Sequence, residues 1–267
     1  MKPVFACLLA AALILGIAAA PALAGTRTDI PSASVETPRE FWRAVMEHFY
    51  GGYDRARKCW VGEIDGDRHC MRPHRLDTVS AGGAARHFVV TGGYRIDGDD
   101  GPATCHACSG SLGLVVLEDA GGRLELVARN SLVALAGSWG RIPPEESFRL
   151  REIGGDRHGW TMETGWAGQG YVYGSVVVYG VSGSDVIQLG HIPVHADNSG
   201  YCGEGLPNCF VHDYELVFDP GPDGSFHDIV LRKTGGEAED PDGFRVPFDD
   251  NALKYQVPAE VDRMFQY

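Results

Sequence analysis

Between residues 148 and 232 the chain breaks into six short apolar runs, at 148–153, 159–163, 171–179, 185–192, 210–218 and 226–232, and a glycine-bearing turn separates each from the next. Runs of that length between turn signals suit strands better than helices. Val176-Val177-Val178 and the alternation from Tyr214 to Phe218 are β in composition. The 36 glycines among 267 residues are about twice the usual share, as expected of a chain with many tight turns. Upstream, residues 112–117 and 123–128 read as a hairpin joined through Ala120-Gly121-Gly122, and residues 87–91 as a strand. Strand patterns do not alternate with helical ones, which argues against a parallel α/β sheet. The expectation is a mainly β fold, an antiparallel sandwich, barrel or small propeller, with one N-terminal helix. No repeat is clean enough to count blades.

That helix is expected at residues 38–50. Thr37 and Glu40 have the spacing of a capping box, Pro38 suits the first helical position, and Gly51-Gly52 ends the run. Phe41, Val45 and Phe49 recur at helical spacing and are expected to dock it on a sheet. A short helix is also indicated near residues 258–265. Residues 25–36 are small and polar and read as a flexible leader, and residues 53–76 as charged and irregular.

The first residues have the pattern of a secretory signal. Met1-Lys2-Pro3 is a short basic start, residues 4–20 are almost wholly apolar, and Ala22-Leu23-Ala24 is a small-x-small cleavage pattern. The domain reading is therefore a signal peptide at 1–24, a leader at 25–36 and a single β-rich domain at 37–267. A location in the periplasm or outside the cell follows. With Lys2 removed, 22 basic side chains face 36 acidic ones, a net charge of −14 against −13 for the whole chain. Such a surface repels phosphate backbones and anionic headgroups, so nucleic acid is not an expected partner. After signal cleavage no apolar run approaches membrane-spanning length.

Beyond Cys7, six cysteines remain in three near-neighbour pairs. In an exported chain an even number reads as disulfides. The local pairing, Cys59 with Cys70, Cys105 with Cys108 and Cys202 with Cys209, is the simplest of the 15 that six cysteines allow.

Cys105-His106-Ala107-Cys108 is the sharpest local motif. A Cys-x-x-Cys pair serves redox chemistry when a helix N-terminus lowers the first thiol's pKa. Here Ser109-Gly110-Ser111 and an apolar run follow, so a structural disulfide is expected, pinning the start of the 112–117 strand. Two groups have metal-ligand side chains: His69, Cys70, His74, Cys105, His106 and Cys108, and separately His191, His195, Asp197 and His212. Neither matches a standard zinc spacing, and no metal or other cofactor is expected. Residues 219–230 come nearest a calcium loop, but Gly221 and Val230 stand where ligands are required. Nucleophile-elbow, phosphate-loop and dinucleotide motifs are absent, and no catalytic residue is assigned. Trp139, Trp160, Trp166, Tyr171, Tyr173 and Tyr179 form an aromatic-rich zone. Core packing accounts for most such residues, and Trp160, Trp166, Tyr171 and Tyr173 are the candidates for a binding surface.

Phe41-Trp42, Lys58 to Gly62, Cys70 to His74, the Cys105–Cys108 motif and Ser138-Trp139-Gly140 together resemble a family of uncharacterised exported proteins of Gram-negative bacteria. The resemblance spans most of the chain after residue 24 and implies a periplasmic or secreted location. Asp223-Gly224-Ser225-Phe226-His227-Asp228-Ile229-Val230 is similar to a short segment of integrin-type propellers and periplasmic lysozyme inhibitors, without the fuller Asp-x-Asn-x-Asp-Gly pattern. The functional expectation is an exported β-rich binding protein whose partner is a cell-wall enzyme or an envelope polymer. Its rival is a periplasmic enzyme, either a thiol oxidoreductase using Cys105 and Cys108 or a hydrolase with dispersed carboxylates.

Overall fold

The computed structural model describes residues 26–81, 83–98, 105–221 and 225–265. The signal at 1–24 and the Asp223-Gly224 dipeptide lie outside the described residues. In chain order the elements are β1 (Thr26–Pro31), α1 (Pro38–Tyr50), β2 (Gly52–Asp54), β3 (Cys59–Ile64), β4 (Asp67–Ala81), β5 (Ala84–Arg95), β6 (Gly110–Ala120), β7 (Arg123–Ala136), β8 (Phe148–Gly154), β9 (Arg157–Gly168), β10 (Tyr171–Ser182), β11 (Asp185–Asp197), β12 (Val211–Asp219), β13 (Asp228–Gly236), β14 (Gly243–Val246), β15 (Phe248–Asp249), β16 (Lys254–Tyr255) and α2 (Ala259–Met264). No helix among the described residues is long and apolar enough to cross a membrane.

The fold is mainly β, as the pattern of short apolar runs requires. Strands β1–β14 belong to one sheet whose backbone order is β14-β13-β12-β11-β7-β6-β5-β4-β3-β2, with β1 on β7 and the β8-β9-β10 meander joined to β11. Its end strands stay apart, so it is neither a closed barrel nor a propeller. All its pairings are antiparallel except the parallel bridge of Asp185 to Arg129, which joins β11 to β7. The sheet folds across that joint and packs on itself in the manner of a sandwich. Phe88, Leu112, Leu114 and Val116 from β5 and β6 meet Phe148, Trp160, Met162, Val177 and Tyr179 from β8, β9 and β10. The Phe88 and Trp160 rings cross edge to face with centroids 5.3 Å apart.

The other face of β6 is covered by α1. Phe41, Val45 and Ile30 pack on Val89, Val115 and Leu117. Strand β6 is thus buried on both faces from Gly110 to Leu117, which is why residues 112–117 read as a continuous apolar run rather than an alternating one. Gly113 makes the close approach possible. A Cβ there would stand 2.2 Å from the Tyr50 hydroxyl, which instead hydrogen-bonds Thr91 Oγ1 at 2.6 Å.

The helix occupies residues 38–50 but is not the first element, and three of its details differ from expectation. The Thr37 hydroxyl bonds the Glu40 carboxylate at 2.7 Å and the Ser34 carbonyl at 3.1 Å, with no side-chain bond to a helix amide, so the capping box is incomplete. Met46 and Tyr50 are fully buried with Phe41 and Val45, whereas Phe49 is only half-buried, its ring 5.8 Å from the Arg129 guanidinium. Residues 26–36 are not a loose leader. Thr28 and Ile30 alternate inward along β1, and the Thr28 hydroxyl donates to the Leu124 carbonyl at 2.6 Å. The small polar composition concealed that one buried pair.

The stretch 53–76 is not irregular either. It forms β2, β3 and most of β4, stapled where Val61 pairs with Cys70. Some of its charges are paired along the strands, as in the two-bond contact of Arg75 with Asp77 at 2.7 and 2.8 Å, so charge does not preclude a ladder. All three local disulfides are present, with Cα separations of 5.5 Å (Cys59–Cys70), 5.1 Å (Cys105–Cys108) and 4.9 Å (Cys202–Cys209).

Two stability consequences follow from this packing. Replacement of Trp160 by Ala should cost about 3–5 kcal/mol, because it empties a fully buried ring site between the two layers. Urea unfolding would measure this, and an unchanged midpoint would show that the layers do not meet there. Burial pushes the Tyr50 and Tyr179 hydroxyls up to about 12. An unfolded tyrosine ionises near 10, so the stability linked to these groups is complete below about pH 10 and is lost as pH rises toward 12. Ultraviolet titration should therefore show a late-ionising fraction of the ten tyrosines that appears together with loss of the circular dichroism signal. Ordinary ionisation of all ten in a still-folded chain would contradict it.

Candidate functional site

The β9–β10 hairpin extends past the packed layers and turns through Gln169-Gly170, both at positive φ (53° and 83°), the conformation of a two-residue type I′ turn. Trp166 lies directly opposite Tyr173 in the ladder. Tyr171 shares Tyr173's face because side chains along a strand alternate with a period of two. The Tyr171 and Tyr173 rings are nearly parallel, 8° apart with centroids at 6.1 Å, and Trp166 and Tyr173 also sit 6.1 Å apart at 28°.

A fourth ring comes from a separate loop. Tyr201 stands 6.0 Å from Tyr171. Its loop, residues 198–210, is closed at the neck by Asn198, which is fully buried, donates to the Asn208 carbonyl at 2.8 Å and accepts from the Phe210 amide at 2.7 Å. The Cys202–Cys209 disulfide closes it a second time. The Gly200 amide then donates to the Gly170 carbonyl at 3.1 Å, docking the loop on the hairpin tip. At the same place the Ser199 hydroxyl and amide hold the Asp197 carboxyl below the usual range. The result is a row, Trp166–Tyr173–Tyr171–Tyr201, whose ends are 41% and 46% exposed and whose middle is half-buried.

Trp160 does not belong to this row. It is completely buried against Phe88, which corrects its assignment to a binding surface: six residues back along β9, the opposing layer covers the strand. Tyr179 is buried for the same reason, and Trp139 is exposed on a different loop. Tyr201 was not among the residues singled out from sequence. The short disulfide loop that carries it was the available signal.

Beside Trp166 a groove of about 630 Å³ runs between β9 and the loop after β7, walled also by His106, Ser138, Arg141 and Glu163. The Cys105–Cys108 disulfide supports its edge. The Gly140 amide donates to the Cys108 carbonyl at 2.7 Å, and Ser138 and Arg141 bond each other's backbone across a tight turn at 3.0 and 3.1 Å. Trp139 and Gly140 at the tip of that turn are both at positive φ. The disulfide leads into β6, so among the described residues the element that follows it is a strand and not a helix.

The histidines divide into separate environments. His69 is buried, its Nδ1 is 2.9 Å from Ser111 Oγ, and it borders a cavity of about 410 Å³ shared with Asp67 and Arg95. His195 faces Asp213 at 3.5 Å and His212 faces Asp240 at 2.8 Å. Among the described residues no group of three or more His, Cys, Asp or Glu is arranged to hold a metal ion. Burial is the main cause that holds His69, His74 and His191 below the ordinary histidine pKa.

No family model matches this chain, and neither a curated protein nor a solved structure matches it significantly. What fold and site define is a mainly β protein with three local disulfides and a solvent-facing aromatic row.

The histidine shifts carry a sign. A depressed histidine pKa means that the unfolded chain takes up protons first, so the linked stability is full above about pH 6.5 and declines as pH falls from there. Urea midpoints should be lower at pH 5 than at pH 7.5, and His69→Gln should flatten that slope. A His69 proton resonance titrating above 6.5 in the folded protein would contradict the burial account.

Proposed function

We propose that this chain is an exported binding protein and that its ligand is an extended polymer of the cell envelope laid along Trp166, Tyr173, Tyr171 and Tyr201. The row is the observation that carries the reading. Four aromatic rings within about 6 Å of their neighbours, the two end rings strongly exposed, form an apolar strip. Rings of this kind stack on the apolar faces of sugars while their hydroxyl groups exchange hydrogen bonds. The strip is also held rigid by a tight hairpin turn and a disulfide-closed loop, so little conformational entropy is lost on binding. Three disulfides fit an oxidising compartment, and the resemblance to exported proteins of Gram-negative bacteria points the same way. The thiol-oxidoreductase rival lacks a comparable observation, because the Cys105–Cys108 pair opens a strand.

Intrinsic tryptophan fluorescence titrated with envelope polysaccharide oligomers tests this. Trp166→Ala and Tyr171→Ala should each weaken binding about 30-fold, the loss expected of an aromatic anchor worth about 2 kcal/mol. Full affinity in the double variant would remove the row from the binding surface. Capture of a folded protein through the row, with no response to oligomers, would replace the polymer by a protein partner.

A further inference from the structure

Arg141 walls two clefts. One is the groove beside Trp166, and the second is a cleft of about 470 Å³ bounded by Arg72, His74, Tyr94 and Arg141. No carboxylate lines the second cleft, although the chain carries 36 acidic residues and a net charge of −13.

Both arginines are placed by uncharged partners. Arg72 donates from Nε to the Lys58 carbonyl at 3.1 Å and from Nη2 to the Arg57 carbonyl at 2.8 Å, and its guanidinium lies 5.5 Å from the Tyr94 ring centre. Backbone carbonyls and a ring face orient the side chain, and none of these partners carries a negative charge. Arg141 is fixed at its backbone by the Ser138–Arg141 turn and by a bridge to Ser109, and its side chain is exposed. Among the described residues neither arginine forms an ion pair with Asp or Glu. Close packing makes the arrangement specific: a Cβ on Gly92 would meet the Ile142 side chain at 2.4 Å, and one on Gly110 would meet the Ile142 amide at 2.4 Å. The turn that presents Arg141 therefore rests on bare strand backbone.

A guanidinium is the side chain best matched to a carboxylate or phosphate, which it takes through two parallel hydrogen bonds. An acidic chain repels anionic polymers at long range, but at physiological ionic strength that repulsion fades within about 8 Å, and a cleft of local positive charge decides what binds inside it. Trp166 ends the aromatic row and begins the groove that leads to Arg141.

We propose that the polymer is an acidic polysaccharide, with sugar faces on the aromatic row and a carboxylate or phosphate substituent between Arg72 and Arg141. This rests on the polymer-binding reading above and adds the ligand's charge. The test is calorimetric titration of the full exported chain with three probes: an oligouronate from alginate, the same oligomer with its carboxyls reduced to alcohols, and a phosphorylated oligomannoside.

The expected result is at least tenfold tighter binding of one acidic oligomer than of the reduced one. That advantage should shrink with added salt and vanish in Arg72→Gln/Arg141→Gln, with affinity for the reduced oligomer unchanged. Whichever acidic probe is preferred identifies the acid as carboxylate or phosphate. Because Arg141 is exposed, Arg141→Gln alone should lose part of the advantage without lowering the melting temperature. Equal binding of acidic and reduced oligomers, or an advantage that survives in the double variant, overturns this proposal and leaves polymer binding on the row intact. Binding of none of the probes by the wild-type chain overturns both.

Discussion

Strand β6 has no face left for water. On one side Leu112, Leu114 and Val116 meet the β8–β10 meander, and on the other Val115 and Leu117 meet α1 and β1. Everything else in the fold answers to that double burial. A strand so placed must find all its hydrogen bonds in the ladder, and β5 and β7 supply them on both edges. It also needs a helix close enough to exclude solvent, which Gly113 permits under the Tyr50 hydroxyl. The β7–β11 bridge, with the Asn130 amide donating to the Val186 carbonyl at 3.1 Å, then brings the second layer back over the first.

The three disulfides stand at the periphery of that core and do not join its layers. Cys59–Cys70 ties adjacent strands, Cys105–Cys108 tightens the entry to β6, and Cys202–Cys209 closes the Tyr201 loop. Short closed loops of this kind contribute roughly 2–3 kcal/mol each in the chain-entropy account. Two of the three support the surface that carries the proposed function. The Tyr201 loop completes the aromatic row, and the Cys108 carbonyl holds the turn that presents Arg141.

The row has a simple structural origin. Register places Tyr171 and Tyr173 on the face of β10 that, farther along, buries Val177 and Tyr179, and it pairs Trp166 and Trp160 with Tyr173 and Tyr179. The aromatic face is thus continuous along the hairpin. Toward Trp160 it is roofed by β5 and β6, Tyr173 packs against a second core cluster with Ile192, Ala196 and Tyr214, and the row is open to solvent at its Trp166 and Tyr201 ends. A surface formed by a core face running past the end of its cover is rigid, because its other end is held in the core.

Much of this was legible in the residues themselves. Short apolar runs between glycines announced the strands from β5 to β13, residues 38–50 announced the helix, and cysteine spacing announced all three pairings, because these properties depend on neighbours within a dozen residues. Strands β1 to β4 were hidden by polar composition, since β1 finds its ladder on distant β7 and charges such as Arg75 are paired along the strands. The candidate site was only half visible. Trp166, Tyr171 and Tyr173 were named as aromatic, but a tryptophan carries no local mark that distinguishes Trp160 in the core from Trp166 outside it. Nor could sequence bring Tyr201 to Tyr171, or Arg72 and Arg141 to one cleft. The sequence alone determined the strands from β5 to β13 and which cysteines are near enough to pair. The tertiary structure alone decided where one layer stops covering the other, because that boundary depends on how far the opposing layer extends across the fold.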